Sequence, residues 1–187
     1  MNILILGVGN LLLKDEGVGV RALEALEERF LMPPEVELLD GGTAGLELLG
    51  QIEGRDALII LDAVNCNKPP GTVIRVDGDR VPAVFSRKIS PHQLGISDLL
   101  ALARLTGSLP KELLLFGVQP KDLGTGLELS PEVTHSMEEL LLMVALELET
   151  MGVEVTVKNA DSNSRKHTEA RTPGDFLYRL PLQGSTG

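Results

Sequence analysis

The chain has 187 residues, is 43% hydrophobic and carries a formal net charge of −10. That length suits one domain with a sizeable core, and the acidity makes a phosphate backbone a poor partner, so nucleic acid is not expected. No apolar stretch reaches the length that spans a bilayer, so no membrane role is expected either. In chain order, residues 2–7 (NILILG) form a short apolar run closed by glycine, as a buried parallel strand reads. Gly7-Val8-Gly9-Asn10 is a turn. Over residues 17–30, Arg21, Glu24, Glu27 and Glu28 leave a stripe of Val18, Ala22, Leu23, Ala25, Leu26 and Phe30, an amphipathic helix. Asp15 and Glu16 stand at its start, where the helix dipole favours acids, and Pro33-Pro34 ends the segment. Residues 36–39 read as a second strand closed by Asp40-Gly41-Gly42-Thr43, with Thr43 the expected N-cap of a short helix carrying Leu46, Leu49 and Ile52. Residues 57–61 (ALIIL) are a third buried strand, and Asp62 follows at once.

Beyond the turn Pro69-Pro70-Gly71, residues 72–77 (TVIRVD) alternate in polarity. No helix separates them from the strand before, so this strand is expected to run antiparallel at a sheet edge. Ser90-Pro91-His92-Gln93 is a helix start, with Ser90 as N-cap, Pro91 at N1 and Gln93 completing a capping box. That helix runs on to Gly107. Residues 113–118 (LLLFGV) are another buried strand. Ser130-Pro131 opens the last helix, which ends near Met151 with Gly152 past its C-terminus, and residues 153–157 add a short strand. The alternation of strands and helices predicts a three-layer α/β/α sandwich with a mostly parallel twisted sheet and one antiparallel edge strand. Residues 1–157 make a single α/β domain. From Lys158 onward hydrophobic periodicity fails, and 158–187 read as a flexible tail with a basic balance (Lys158, Arg165, Lys166, Arg171 and Arg179 against Asp161, Glu169 and Asp175). Cys66 is the only cysteine, so no intrachain disulfide forms. With an N-terminus unlike a signal peptide, this points to the cytoplasm.

In an open α/β sheet, ligands bind in the crevice beyond the carboxyl ends of the strands. Glu16, Asp62 and His92 each lie just past a strand or in the first turn of the helix that follows. Taken singly, each serves more often as a cap or a local hydrogen-bonding group. Together at one edge, two carboxylates and an imidazole can hold a borderline divalent metal or run acid–base hydrolysis. An imidazole in a first helical turn has its cation disfavoured by the dipole, and the neutral ring is the form that ligates. Three N/O ligands leave coordination positions open, unlike a closed structural zinc site. Ni²⁺, Zn²⁺ and Mn²⁺ all suit this donor set. Asp40 in DGGT is a further acid at a strand end, and turn formation with Gly41 and Gly42 explains it equally well. Gly7-Val8-Gly9 fails the dinucleotide fingerprint, because Leu12 stands where the third glycine belongs. No HExxH, GxxxxGK[ST] or GxSxG occurs, and Cys66 lacks a helix N-terminus that would activate its thiol.

Six segments resemble those of the [NiFe]-hydrogenase maturation endopeptidases, above all their hydrogenase 2 branch: LGVGNLLLKDEGVGV, LDGGTAGLELL, IILDAV, PGTV, ISPHQLG and GVQP. They cover residues 1 to about 157 in the family's order. The resemblance implies a cytoplasmic protease that removes a C-terminal extension from a hydrogenase large-subunit precursor after nickel insertion, with the nickel presented by the precursor and no organic cofactor. It places the metal-binding positions on Glu16, Asp62 and His92, and a monomer suffices for this chemistry. Two mechanisms stay open. Either the metal polarises the scissile carbonyl or activates water with a carboxylate as base, or nickel only reports a loaded precursor and Asp62 or Asp40 activates the water. The competing class is a non-catalytic nickel chaperone or assembly factor for the same precursor. The tail beyond Lys158 has no counterpart in the resemblance.

Overall fold

Every side chain of the first strand, β1 (Ile3–Val8), is buried, as in a central strand covered on both faces. The computed structural model of the chain describes residues 1–85 and 91–158, with the backbone alone for 91–94. After β1, a 3-10 turn (Lys14–Gly17) leads into α1 (Val18–Arg29), followed by β2 (Phe30–Leu31) and β3 (Val36–Gly42). A second 3-10 turn (Leu46–Leu48) opens α2 (Leu49–Ile52), and β4 (Ala57–Ala63) and β5 (Val73–Asp77) come next. A third 3-10 turn (Gly78–Arg80) enters α3 (Val81–Phe85), before α4 (Pro91–Thr106), β6 (Glu112–Val118), α5 (Pro131–Thr150) and β7 (Thr156–Val157).

The main sheet has the order β3-β1-β4-β6-β5. All neighbours are parallel except β5, which pairs antiparallel with β6 at the edge. The mostly parallel sheet with one antiparallel edge strand is therefore as the sequence predicts. Side chains alternate between two cores. Ile3, Ile5, Ile59, Leu61, Leu114 and Phe116 pack under α1 and α5. Leu4, Leu6, Leu58, Ile60, Leu113 and Leu115 pack under α4 with Val81 and Phe85 of α3. Full burial of each such side chain contributes roughly 1.5–3 kcal/mol, and the strict period of two fixes the register, since a one-residue slip would exchange the two faces.

Four local readings change. Asp62 lies within β4, paired in register with Gly117, rather than after the strand. Thr43 is exposed and caps nothing: the 3-10 turn starts at Leu46, and the Gly45 N–H donates to Glu47 Oε2 at 3.0 Å. These contacts, the N–H of Glu47 itself first, hold the Glu47 carboxyl below its ordinary pKa. The short helix α3, which the sequence pattern passes over, forms because Val81 and Phe85 stand four residues apart and both bury. The short strand expected over 153–157 narrows to β7, which pairs antiparallel with β2 in a separate two-stranded sheet. The capping box at Ser90 lies outside the described residues, although α4 does begin at Pro91. The expected tail likewise lies outside them, apart from Lys158.

Candidate active site

The carboxyl ends of β1 and β4 are neighbours, and the chain leaves β1 toward β3 on one side while β4 lies on the other. This is the topological switch point, where open α/β sheets take their ligands. Helix α1 sits hard on it. A Cβ at Gly19 would come 2.0 Å from the Leu61 carbonyl oxygen and 2.4 Å from that of Val8. In the loop that leaves β1, Gly9 has φ +134°, and a Cβ there would stand 1.8 Å from the Glu16 carbonyl oxygen. Only glycine lets the loop, the 3-10 turn and the strand ends approach so closely. The result sets the 3-10 turn bearing Glu16 over the end of β4 that bears Asp62.

Both carboxylates are nearly shut off from water, Glu16 at 3% exposure and Asp62 at 1%. Strand alternation puts Asp62 on the face of Leu58 and Ile60, under α4. Its Oδ1 accepts the Ala63 N–H at 2.8 Å. His92 is the second residue of α4, so its backbone lies in the first helical turn as expected, while its side chain lies outside the described residues. The start of α4 is held against the loop after β3: a Cβ at Gly95 would stand 2.9 Å from the Gly45 Cα. Gly95 is one turn beyond His92. Among the described residues, no group of three His, Cys, Asp or Glu is arranged to hold a metal ion, a set that leaves His92 out.

Asp40 is exposed, and its Oδ1 accepts the Gly42 N–H at 2.8 Å, the turn contact its sequence context offers. Gly7 pairs in register with Asp40 on one side and Leu61 on the other. Two strand spacings therefore put the backbones of Asp40 and Asp62 roughly 10 Å apart. By alternation Asp40 shares the face of Val36 and Leu38, under α1, opposite to Asp62. The pair is thus not built as two carboxyls sharing one proton, which stand about 3 Å apart.

The model of the family described as hydrogenase maturation protease (HycI) matches residues 20–147. The hydrogenase 2 maturation protease of Escherichia coli K12 is 50% identical over 161 residues, covering 86% of this chain and 98% of that protein. The chain belongs to the hydrogenase maturation protease family. Among solved structures, the hydrogenase maturating endopeptidase HybD of E. coli matches at 50% identity with a TM-score of 0.82, covering 84% of this chain and 98% of that one. The [NiFe] hydrogenase maturation protease HybD of Thermococcus kodakarensis matches at 30% identity with a TM-score of 0.65, covering 79% and 99%. The three-layer fold is that of these proteases.

In this maturation protease two further polar groups shape the edge. Gln119 of the GVQP segment accepts the Cys66 N–H at 2.9 Å, pinning the loop that follows β4. Cys66 itself is half-buried against the same amide, with Sγ 3.4 Å from Gln119 Oε1. Asp15 is fully buried and accepts four hydrogen bonds, from the N–H groups of Lys121, Asp122 and Ser130 and from the Ser130 hydroxyl. From sequence alone, Asp15 reads as a helix-dipole acid. Its true partners lie 106 to 115 residues away, so no local pattern announces them. His135 is exposed on α5, with Nδ1 2.7 Å from the Pro131 carbonyl. No helix among the described residues is long and apolar enough to cross a membrane.

Proposed function

We propose that this protein is an endopeptidase that removes the C-terminal extension of a [NiFe]-hydrogenase large-subunit precursor once nickel has been inserted, and that Glu16, Asp62 and His92 meet the nickel held by that precursor. The reading is supported by the burial of two carboxylates, Glu16 and Asp62, at the switch point of the sheet, and by the place of His92 in the first turn of α4. A divalent ion brought to that edge would meet carboxylate oxygens of the kind it takes as ligands. The donor set fits nickel: carboxylate oxygens and a neutral imidazole are ligands it accepts. Nickel at the site would supply Lewis acidity toward the scissile carbonyl.

The protein's own residues do the rest. Glu16 and Asp62 hold fixed negative charge at the end of the cleft, where it favours a metal-bearing segment over an empty one. A carboxylate base takes a proton from the attacking water and returns it to the leaving amine. Asp62 is one candidate for that base. Asp40 is the alternative, exposed to water on the edge strand β3, two strands from β4. Because the two acids sit on separate strands and opposite faces, one of them acts alone, and single replacements tell which.

Intact-mass spectrometry tests the reading. Purified protein is incubated with nickel-loaded and nickel-free precursor. The expected result is loss of one C-terminal peptide mass from the loaded precursor only. Transfer of nickel with no mass loss would make the protein a metal chaperone instead, and equal cleavage of nickel-free precursor would remove nickel from the account.

A further inference from the structure

The buried Asp15 carboxyl is a group that the proposed reaction leaves unused. It sits next to Glu16 in the same 3-10 turn, at 0% exposure. Its Oδ2 accepts the N–H groups of Lys121 and Asp122, both at 2.9 Å, and the Ser130 hydroxyl at 2.9 Å. Its Oδ1 accepts the Ser130 N–H at 2.6 Å. Ser130 is also the N-cap of α5, its Oγ taking the Val133 N–H. The Asp15 N–H donates in return to the Asp122 carbonyl at 3.1 Å. Around this knot, Leu13 and Gly126 form a parallel bridge, and Lys14 pairs with Asp122. One buried side chain thus fastens the segment before α1 to the loop between β6 and α5.

A helix cap alone does not need this arrangement, since Ser130 Oγ already satisfies the Val133 N–H. We propose that Asp15 is a positioning residue for Glu16: it fixes the backbone of the 3-10 turn, so that the neighbouring carboxylate is held at one place over the end of β4. This inference rests on the proposed role of Glu16. A displacement of about 1 Å in a reacting group costs on the order of a hundredfold in rate, and Asp15 supplies four of the hydrogen bonds that tie this turn to the loop, beside the Lys14 pair with Asp122. An amide at position 15 cannot replace the carboxyl. Three donors converge on Oδ2 and one on Oδ1, and an amide nitrogen accepts none of them.

The test compares full-length wild type with Asp15→Asn, Ser130→Ala, Ser130→Thr and Glu16→Gln. Cleavage kinetics on nickel-loaded precursor are read beside Ni²⁺ affinity of the free protein by titration calorimetry and folded fraction by circular dichroism. Per folded molecule, Asp15→Asn is expected to lower kcat between about tenfold and a hundredfold with KM little changed, and to weaken Ni²⁺ binding severalfold. Ser130→Ala should do the same to a smaller degree, and Ser130→Thr, which keeps the hydroxyl, should restore both. If Asp15→Asn loses only folded fraction, with kcat per folded molecule and Ni²⁺ affinity as in wild type, the clasp is merely structural and the inference falls while Glu16→Gln stays inactive. If Glu16→Gln itself cleaves at the wild-type rate, the reading of the site fails, and the clasp's role with it.

Discussion

Glu16 and Asp62 stand nearly shut off from water at the edge where open α/β sheets take their ligands, and residues kept for activity are often not those that hold the fold. The expected outcome for Asp62→Asn and Glu16→Gln is therefore asymmetric. Precursor cleavage, followed by intact mass, should fall by about a hundredfold or more, while the melting temperature, followed by circular dichroism, stays level or rises. A loss of both together would mean that these acids hold the fold rather than the reaction. Asp40 makes a different prediction, because its carboxylate is exposed and tied only to a turn N–H. Asp40→Asn should leave the melting temperature within about 2 °C, as surface changes do. A large drop in its cleavage rate would name Asp40 as the base, and an unchanged rate would leave Asp62.

At the scale of elements, the site depends on how closely α1 descends on the strand ends. A methyl at position 19 would meet backbone oxygens at 2.0 and 2.4 Å, which no side-chain rotation relieves. Gly19→Ala should cost about 1–3 kcal/mol in urea unfolding, as overpacking does, and should slow cleavage as well, because the turn bearing Glu16 must shift with the helix. The loop that clasps that turn carries its own pH dependence. Lys14 beside Asp122 and Lys121 beside Glu132 hold these two carboxyls below their ordinary values of 3.8 and 4.5. A carboxyl depressed in the folded state stabilises above its unfolded pKa and loses that contribution as pH falls through the folded value. Urea midpoints should thus hold above pH 5 and decline below about pH 4, with a shallower decline in the Lys14→Met and Lys121→Met double variant; these pairs are exposed, so the effect is small. Much at this scale was legible in sequence. β1, β4 and β6 announce themselves as continuous apolar runs, and Ser130-Pro131 and Gly152 mark both ends of α5. What escaped lacked local signal. α3 rests on one i, i+4 apolar pair, β2 and β7 are two residues each, and Thr43 lost its cap role because Glu47 reaches back to the Gly45 N–H. Glu16 and Asp62 could be singled out because strand ends are readable, whereas the partners of Asp15 are set by tertiary folding alone.

For the whole molecule, the E. coli relative aligns over 98% of its length with 161 of the 187 residues of this chain. Lys158 is the last described residue with contacts, its N–H on the Arg29 carbonyl at 2.7 Å and its Nζ on that of Glu27 at 2.6 Å. A chain ended after Lys158 should keep its melting temperature within about 2 °C and its cleavage of nickel-loaded precursor; loss of folding would give the remaining residues a structural role. On the reading proposed above, an acid from the first loop, an acid from the middle strand and the imidazole at the head of α4 meet one ion. Anomalous diffraction at the nickel edge from crystals of the protein grown with Ni²⁺ measures this most directly. A single strong peak is expected within about 2.0–2.3 Å of a carboxylate oxygen of Glu16, one of Asp62 and a ring nitrogen of His92. A crystal saturated with Ni²⁺ that shows no peak between these three side chains, or a peak that His92 does not touch, would contradict it.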